Sequence, residues 1–191
     1  TRSLVVDEET VCRPELWDGD PGPAYAILKL TTEKLCLMYC CHYGLPVTVF
    51  RIEVLFDDQE SQMFGKDLVD KVVRGEMIEV IEGDGQASIH VDELVHAFLL
   101  AMLNKDAYGQ LFNLSNPATF ISDRELYELL IQLTNSRTRI KLLSNPTLIN
   151  PMVESIEKIE QALGWKPQKT KEDLKRAITQ TARSVLTRFE R

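Results

Sequence analysis

The sequence predicts an α/β fold, because stretches with apolar residues at helical spacing alternate with short buried-strand patterns along most of the chain. Clear start and stop signals separate these stretches. Gly44 follows the first helical stretch, and Ser122-Asp-Arg-Glu125 forms a capping box before another. No internal repeat or low-complexity tract interrupts the pattern. We therefore expect one compact α/β unit.

The elements follow one another at short intervals. A helix over residues 24–42 ends at Gly44, and a buried strand over 46–51 comes next. Asp92 is predicted to cap a helix that ends near residue 104 and carries apolar residues at helical spacing. The other predicted elements are a helix over 64–74, strands over 77–81, 87–91 and 110–114, a helix over 122–134, a strand over 137–142, and helices over 153–163 and 171–189.

Composition limits the classes of protein to consider. The 191 residues are 44% hydrophobic and 27% charged, which is enough apolar material for a real core. The net charge of −7 and the lack of a basic patch argue against a nucleic-acid partner. No apolar run approaches the ~20 residues of a membrane span, and no signal segment is evident. We expect a cytoplasmic protein.

The four cysteines are Cys12, Cys36, Cys40 and Cys41, too clustered for a disulfide framework in a chain of this length. Cys36 and Cys40 share a helix face near His42, which would allow a metal site. However, no second ligand cluster follows, so we expect reduced thiols and no metal.

Tyr25 and Lys29 are the strongest candidates for chemistry. Four residues apart on a helix, a phenol and an ammonium share one face. A nearby cation favours the phenolate, which can then act as a general base. An ordinary exposed helix pair has the same spacing, so the surrounding sequence must decide between the two interpretations.

The surrounding sequence resembles one family. The run from Tyr25 through Lys29 to Glu33 leads into a glycine stop and a buried strand. Further motifs follow in order: Gly83-Asp-Gly85, Ile89-His90-Val91-Asp92-Glu93, Phe112-Asn113-Leu114 and Leu163-Gly164-Trp165-Lys166-Pro167. This ordered set resembles the extended short-chain dehydrogenase/reductase family, the nucleotide-sugar epimerases and dehydratases. The resemblance covers only the C-terminal part of such an enzyme, so we expect a fragment that lacks the glycine-rich cofactor half.

The resemblance implies a partial Rossmann-like doubly wound fold with a smaller C-terminal substrate lobe. Residues 1–56 would be the C-terminal part of the cofactor half. Residues 57–191 would be mainly substrate lobe, with 77–104 partly returning to the Rossmann half. The Gly83-Asp-Gly85 segment opens like a dinucleotide fingerprint but lacks a third glycine and precedes a strand, so it predicts a tight turn.

The resemblance also implies roles. Tyr25 would take a proton from a substrate hydroxyl while hydride passes to NAD or NADP, and Lys29 would lower the tyrosine pKa and bind the nicotinamide ribose. Thr1, with Ser3 as the alternative, would polarise the forming carbonyl. The cofactor site is incomplete in this chain. The helix that carries Tyr25 and Lys29 would also form a homodimer, as family members often do.

Departures from the family pattern affect the substrate. Val54 replaces the expected substrate-binding Asn, Asp57 and Asp58 replace a Gly-Pro turn, and the uncharged segment around Ser88 lacks an expected Arg. Val54 and Ser88 are nevertheless the candidate substrate-lining positions. The expected substrate is a sugar nucleotide or a related hydroxyl or carbonyl compound, although the two aspartates would repel a diphosphate. The alternative function is a non-catalytic relative that binds a small ligand or a protein partner.

His90 and Asp92 could suggest a base with its orienting carboxylate. We expect instead that Asp92 caps a helix and that His90 makes hydrogen bonds within the fold.

Overall fold

The structure is a computed structural model, and it describes residues 4–16, 22–58, 66–144 and 152–189. Strands and helices alternate along these residues, as predicted. In chain order they are β1 Leu4–Val6, α1 Pro23–Tyr43, β2 Val49–Ile52, β3 Val54–Phe56, α2 Lys66–Val73, β4 Ile78–Ile81, β5 Gly85–Gln86, β6 Ser88–His90, α3 Val91–Met102, β7 Leu111–Leu114, β8 Ile121–Ser122, α4 Asp123–Thr134, β9 Ile140–Leu143, β10 Met152–Glu154, α5 Glu157–Leu163 and α6 Lys171–Phe189.

The strand pairs are mostly parallel and join distant parts of the chain. β1 pairs with β10, β2 with β7, β3 with β6 and β4 with β9, all parallel. Only the short β5–β8 pair is antiparallel among the described strands. Parallel pairing requires crossover connections, and helices α1 to α4 lie in these crossovers.

Helices cover both faces of the β2–β7 pair. Side chains alternate between faces along a strand, so Phe50 and Arg51 of β2 point in opposite directions. Arg51 contacts Glu33 of α1, whereas the Phe50 ring lies 5.1 Å from the Phe98 ring of α3, measured between centroids. α1 and α3 therefore lie on opposite faces, which is the arrangement of a doubly wound sheet.

Two separate apolar clusters form the interior. The first joins β4 to helices α2, α4 and α6, and the second joins α3, β6 and β7 to the α5 region. The buried members of the first are Phe56, Val69, Val72, Ile78, Val80, Ile121, Leu126, Leu130, Leu174, Ala177, Ile178, Ala182 and Val185. Those of the second are Ile89, Leu94, Ala97, Ala101, Ala107, Phe112, Leu114, Ile159 and Trp165.

Two predicted elements need correction. The helix predicted over 153–163 begins only at Glu157, because residues 152–154 pair with β1 as strand β10. The cap of α3 is His90 and not Asp92. The His90 Nδ1 atom accepts a hydrogen bond from the Asp92 amide, and the Glu93 carboxylate accepts one from the His90 amide. This confirms the expectation that His90 is hydrogen-bonded within the fold.

Candidate functional site

Tyr25 and Lys29 lie on the first turns of α1. Pro23 provides the fixed φ angle that suits a helix start. The Lys29 Nζ atom lies 5.9 Å from the centre of the Tyr25 ring, so the two side chains share one face, as their spacing predicts. Both are exposed, and 48% of the Tyr25 side-chain surface is open. A ligand can therefore reach the phenol and the ammonium together.

The pair lies toward the carboxyl end of β2. α1 ends at Gly44, which has the left-handed φ of 67°, and a short connection leads directly into β2. The helix consequently runs antiparallel to the strand, and its first turns extend toward the end of the strand at Ile52. In open α/β sheets, ligands bind outside the carboxyl ends of the strands.

An ion pair connects the middle of α1 to β2. Arg51 Nε donates to Glu33 Oε2 at 2.9 Å, and Arg51 Nη2 donates to Glu33 Oε1 at 3.1 Å. Burial by itself raises the pKa of Glu33, but hydrogen bonds from Arg51 and Lys34 outweigh this effect and hold the pKa below its ordinary value. Glu33 is thus an anion at neutral pH.

The surfaces beside the open edge of β2 are unusually apolar. Within the described residues β2 pairs only with β7, and Glu33 is the sole buried side chain of α1. Large apolar side chains are exposed on both flanking helices. On α1 they are Tyr25, Ile27, Leu28, Leu35, Tyr39 and Tyr43, and on α3 they are Val91, Val95, Phe98, Leu99 and Met102.

The glycine segment 83–85 is a tight turn, as predicted. The Asp84 amide donates to the Ile81 carbonyl at 3.2 Å, and Gly85 continues into β5. A Cβ atom at Gly85 would lie 2.5 Å from the Ile121 carbonyl oxygen, so this glycine allows close packing against β8. It holds no helix N-terminus for a pyrophosphate. The Tyr25 phenol and the Lys29 ammonium are hydrogen-bonding groups that could hold the ribose of a dinucleotide.

The other candidate residues differ in position. Thr1 and Ser3 lie outside the described residues. Val54 is half-buried in β3 and is in register with Ser88 of β6. Ser88 is fully buried, and its amide donates to Thr119 Oγ1 while its carbonyl accepts from the same hydroxyl. Their contact with a substrate stays a prediction.

Asp58, the second residue of the acidic pair after β3, lies close to His90. Asp58 Oδ1 lies 3.4 Å from His90 Nε2 and 3.7 Å from Lys169 Nζ, which are ion-pair distances and not hydrogen bonds. His90 is 1% exposed. Because its Nδ1 accepts from a backbone amide, the neutral imidazole carries its proton on Nε2, facing Asp58. No motif in the sequence indicates this proximity, since the β3–β6 pairing creates it.

No motif in the sequence marks Glu53 as an unusual carboxyl group either. Burial, then a hydrogen bond with Glu154, raises the pKa of Glu53 to about 9, so this side chain is protonated at neutral pH. Glu53 directly follows β2, and Glu154 ends β10. No spacing in the sequence connects the two residues.

Metal ligands are not assembled in the part of the chain that the structure describes, where no group of three or more His, Cys, Asp or Glu side chains could hold an ion. Cys36 and Cys40 are half-buried, and a Cβ atom at Gly109 would lie 3.2 Å from the Cys40 sulfur. None of the described helices is long and apolar enough to cross a membrane.

Parallel strands, helices on both faces and an accessible Tyr–Lys pair at the carboxyl end of β2 define a doubly wound α/β protein. The model of the NAD dependent epimerase/dehydratase family matches residues 6–115. The chain belongs to that family, which confirms the resemblance found in the sequence.

Solved structures share the fold. UDP-glucuronic acid 4-epimerase from Bacillus cereus, in complex with NAD, has a TM-score of 0.73 at 15% identity over 98% of this chain and 57% of its own. UDP-glucose 4-epimerase from Thermotoga maritima, with UDP-glucose, has a TM-score of 0.68 at 20% identity over 100% of this chain and 60% of its own. RMD from Pseudomonas aeruginosa, complexed with NADPH, has a TM-score of 0.61 at 22% identity over 98% of this chain and 62% of its own. The chain thus spans about 60% of the length of these structures, and the predicted Rossmann-like fold class is confirmed.

Proposed function

We propose that this chain supplies the proton-transfer half of an NAD(P)-dependent epimerase/dehydratase-type oxidoreductase. The main observation in support is that Tyr25 and Lys29 share an accessible face of α1 toward the carboxyl end of β2. A phenol beside a cation is suited to removing a proton from an alcohol. Family membership supports the same reaction class.

The residues of this chain would act on the proton. The Tyr25 oxygen accepts the proton of a substrate hydroxyl, and Lys29 stabilises the phenolate and hydrogen-bonds the nicotinamide ribose. When bound, the nicotinamide supplies the acceptor for the hydride that leaves the same carbon. Thr1 is the proposed partner of the forming carbonyl oxygen, and Val54 and Ser88 are the proposed substrate-lining positions.

The cofactor site would be completed outside these residues. Exposed apolar faces on α1 and α3, with the open edge of β2 between them, would suit further strands and helices carrying a glycine-rich phosphate turn. We propose that residues 1–56 belong to this cofactor half and 57–191 mainly to the substrate lobe, with 77–104 partly returning. The second apolar cluster supports that return, because Phe50 packs against it and it includes four residues of this segment: Ile89, Leu94, Ala97 and Ala101.

A sugar nucleotide, or a related hydroxyl or carbonyl compound, is the proposed substrate. Two structurally similar proteins are named as UDP-sugar epimerases. Asp57 and Asp58, however, would oppose a diphosphate beside β3. Either NAD or NADP is compatible with Tyr25 and Lys29. We also propose that the protein is cytoplasmic and forms a homodimer through α1.

A second candidate is a non-catalytic relative that binds a small ligand or protein partner. It is favoured by Val54, which offers no side-chain hydrogen bond where the family has an Asn. The same scaffold would then bind its ligand without proton transfer.

The test begins with calorimetric titration of NADH and NADPH into this chain. Saturable binding that is weakened in Lys29→Met supports a ribose site on α1. Turnover is then measured in the complete protein with Tyr25→Phe, and Tyr39→Phe on the same helix is the matched control. We expect Tyr25→Phe to lose at least about 100-fold in kcat and the control to keep it. Full activity in Tyr25→Phe would exclude the proposed mechanism. A parent protein that binds its ligand but shows no turnover would favour the second candidate.

A further inference from the structure

α1 is held against the sheet by a charged residue. Glu33 is 7% exposed and is the one buried side chain among the described residues of this helix. Apolar contacts tolerate small displacements because they are not directional. A bidentate carboxylate–guanidinium pair has a fixed fork geometry and permits one alignment.

Tyr25, Lys29 and Glu33 follow one another at intervals of four residues. At a rise of 1.5 Å per residue, Lys29 lies about 6 Å and Tyr25 about 12 Å along the helix from Glu33. All three side chains form one stripe. Where the stripe meets β2, Glu33 is buried against Arg51. Farther along, Lys29 and Tyr25 are exposed.

We propose that the Glu33–Arg51 ion pair is a positioning element for Tyr25 and Lys29, fixing the direction of α1 relative to β2 and therefore where the phenol and ammonium stand. The inference rests on the proposed function for its catalytic meaning, but the positioning itself does not. A tilt of α1 by about 20° about Glu33 would displace the helical turn of Tyr25, about 12 Å away, by roughly 4 Å. That displacement would remove the phenol from a reacting hydroxyl.

The direct test measures helix orientation in the 191-residue chain and needs no cofactor. Residual dipolar couplings of backbone amides report how α1 is oriented relative to β2 and β7. In Glu33→Gln and Arg51→Lys we expect changed couplings in residues 24–33 and unchanged couplings in β7 and α3. Arg124→Gln, which breaks the exposed Arg124–Glu128 pair on α4, is the control and should change neither set.

Unchanged couplings in both Glu33→Gln and Arg51→Lys would overturn the inference, because a merely stabilising pair can be lost without moving the helix. The exchange of both charges, Glu33→Arg with Arg51→Glu, adds a rescue test. Recovery of the original couplings supports positioning by the pair. If the exchanged variant does not fold, the couplings of the two single variants still test the inference.

Turnover in the complete protein separates this inference from the proposed function. Arg51→Lys should lower kcat about 10- to 100-fold while the substrate KM changes less than about threefold, since misplacement affects the reacting groups more than binding. An inactive parent protein would contradict the proposed function and leave the coupling result valid. An active parent whose Arg51→Lys variant has unchanged kcat would contradict the inference alone.

Discussion

The indole Nε1 of Trp165 donates a hydrogen bond to the backbone carbonyl of Glu93 at 3.0 Å. Trp165 is fully buried in the segment that follows α5, and Glu93 lies in the first turn of α3. Through this bond and its packing in the second apolar cluster, the indole joins two elements far apart in the sequence.

Replacing Trp165 should therefore destabilise the fold, and the loss should be larger when more of the side chain is removed. Trp165→Phe keeps most of the packing but loses the donor, and we expect the free energy of unfolding to fall by about 1–2 kcal/mol. Trp165→Ala also leaves a cavity and should cost about 3–5 kcal/mol. Urea unfolding followed by far-UV circular dichroism measures both. Leu103→Ala, at an exposed position, should stay within about 0.5 kcal/mol of the parent.

The Glu93 carboxylate should be equally important for stability. It accepts hydrogen bonds from the amides of His90, Gln168 and Lys169, at 3.2, 2.6 and 2.7 Å. Glu93→Ala leaves these three amide donors without their acceptor, so we expect a loss of about 2–4 kcal/mol and faster amide exchange at residues 168 and 169. Asp92→Asn, an exposed change in the same helical turn, is the control. Equal stability of the two variants would contradict this role.

Glu53 should make stability depend on pH. Its pKa is about 9 in the folded chain, against an ordinary value of 4.5, because burial and the Glu154 carboxyl disfavour its charge. Between these pH values the unfolded chain has lost a proton that the folded chain retains. The contribution of Glu53 to the free energy of unfolding is therefore fully present below pH 4.5 and is lost as the pH rises toward about 9.

Glu53→Gln removes this titration while keeping a neutral hydrogen-bonding side chain of the same shape. Its stability relative to the parent should increase steadily from pH 5 to pH 9, by more than about 1 kcal/mol in total. Denaturant unfolding at several pH values measures the difference. A constant difference across this range would show that Glu53 is ionised in the folded chain.

Gly85 and Gly83 should respond differently to substitution. Gly85→Ala places a Cβ atom against backbone of β8, with 2.5 Å to the Ile121 carbonyl oxygen, and should cost about 1–3 kcal/mol. Gly83 has a φ of 87° but open space around it, so Gly83→Ala should cost about 1 kcal/mol through backbone strain alone. Thermal unfolding of the two variants compares them. A larger loss at Gly83 would contradict the packing argument.

Local features of the fold were predictable from the sequence. The helix over 24–42 is α1 within one residue at each end, and the last helix is Lys171–Phe189, as predicted over 171–189. Ser122 caps α4 through its hydroxyl, but the Glu125 side chain pairs with Lys171 and Lys175 on α6 and does not close the capping box. Cap chemistry is local, whereas the choice of partner for a long side chain depends on which helix packs nearby.

The cap of α3 illustrates the same limit. Asp92 is an ordinary capping residue type, and the sequence offered no reason to prefer His90. In the structure, the β3–β6 pairing and the Glu93 interactions fix the backbone so that the His90 imidazole meets the Asp92 amide. Because of these tertiary contacts, the helix cap lies at His90, two residues before the predicted cap at Asp92.

The α/β class, the common face of Tyr25 and Lys29, and the family resemblance could all be predicted from the sequence alone. These depend on the helical period and on motif order, both of which are properties of neighbouring residues. Three pairings depend on how the chain folds in space: Glu33 with Arg51, Glu53 with Glu154, and the Glu93 carboxylate with residues 168 and 169. Parallel strand pairing brings these distant segments together, and hydrophobic periodicity does not specify which strands will pair.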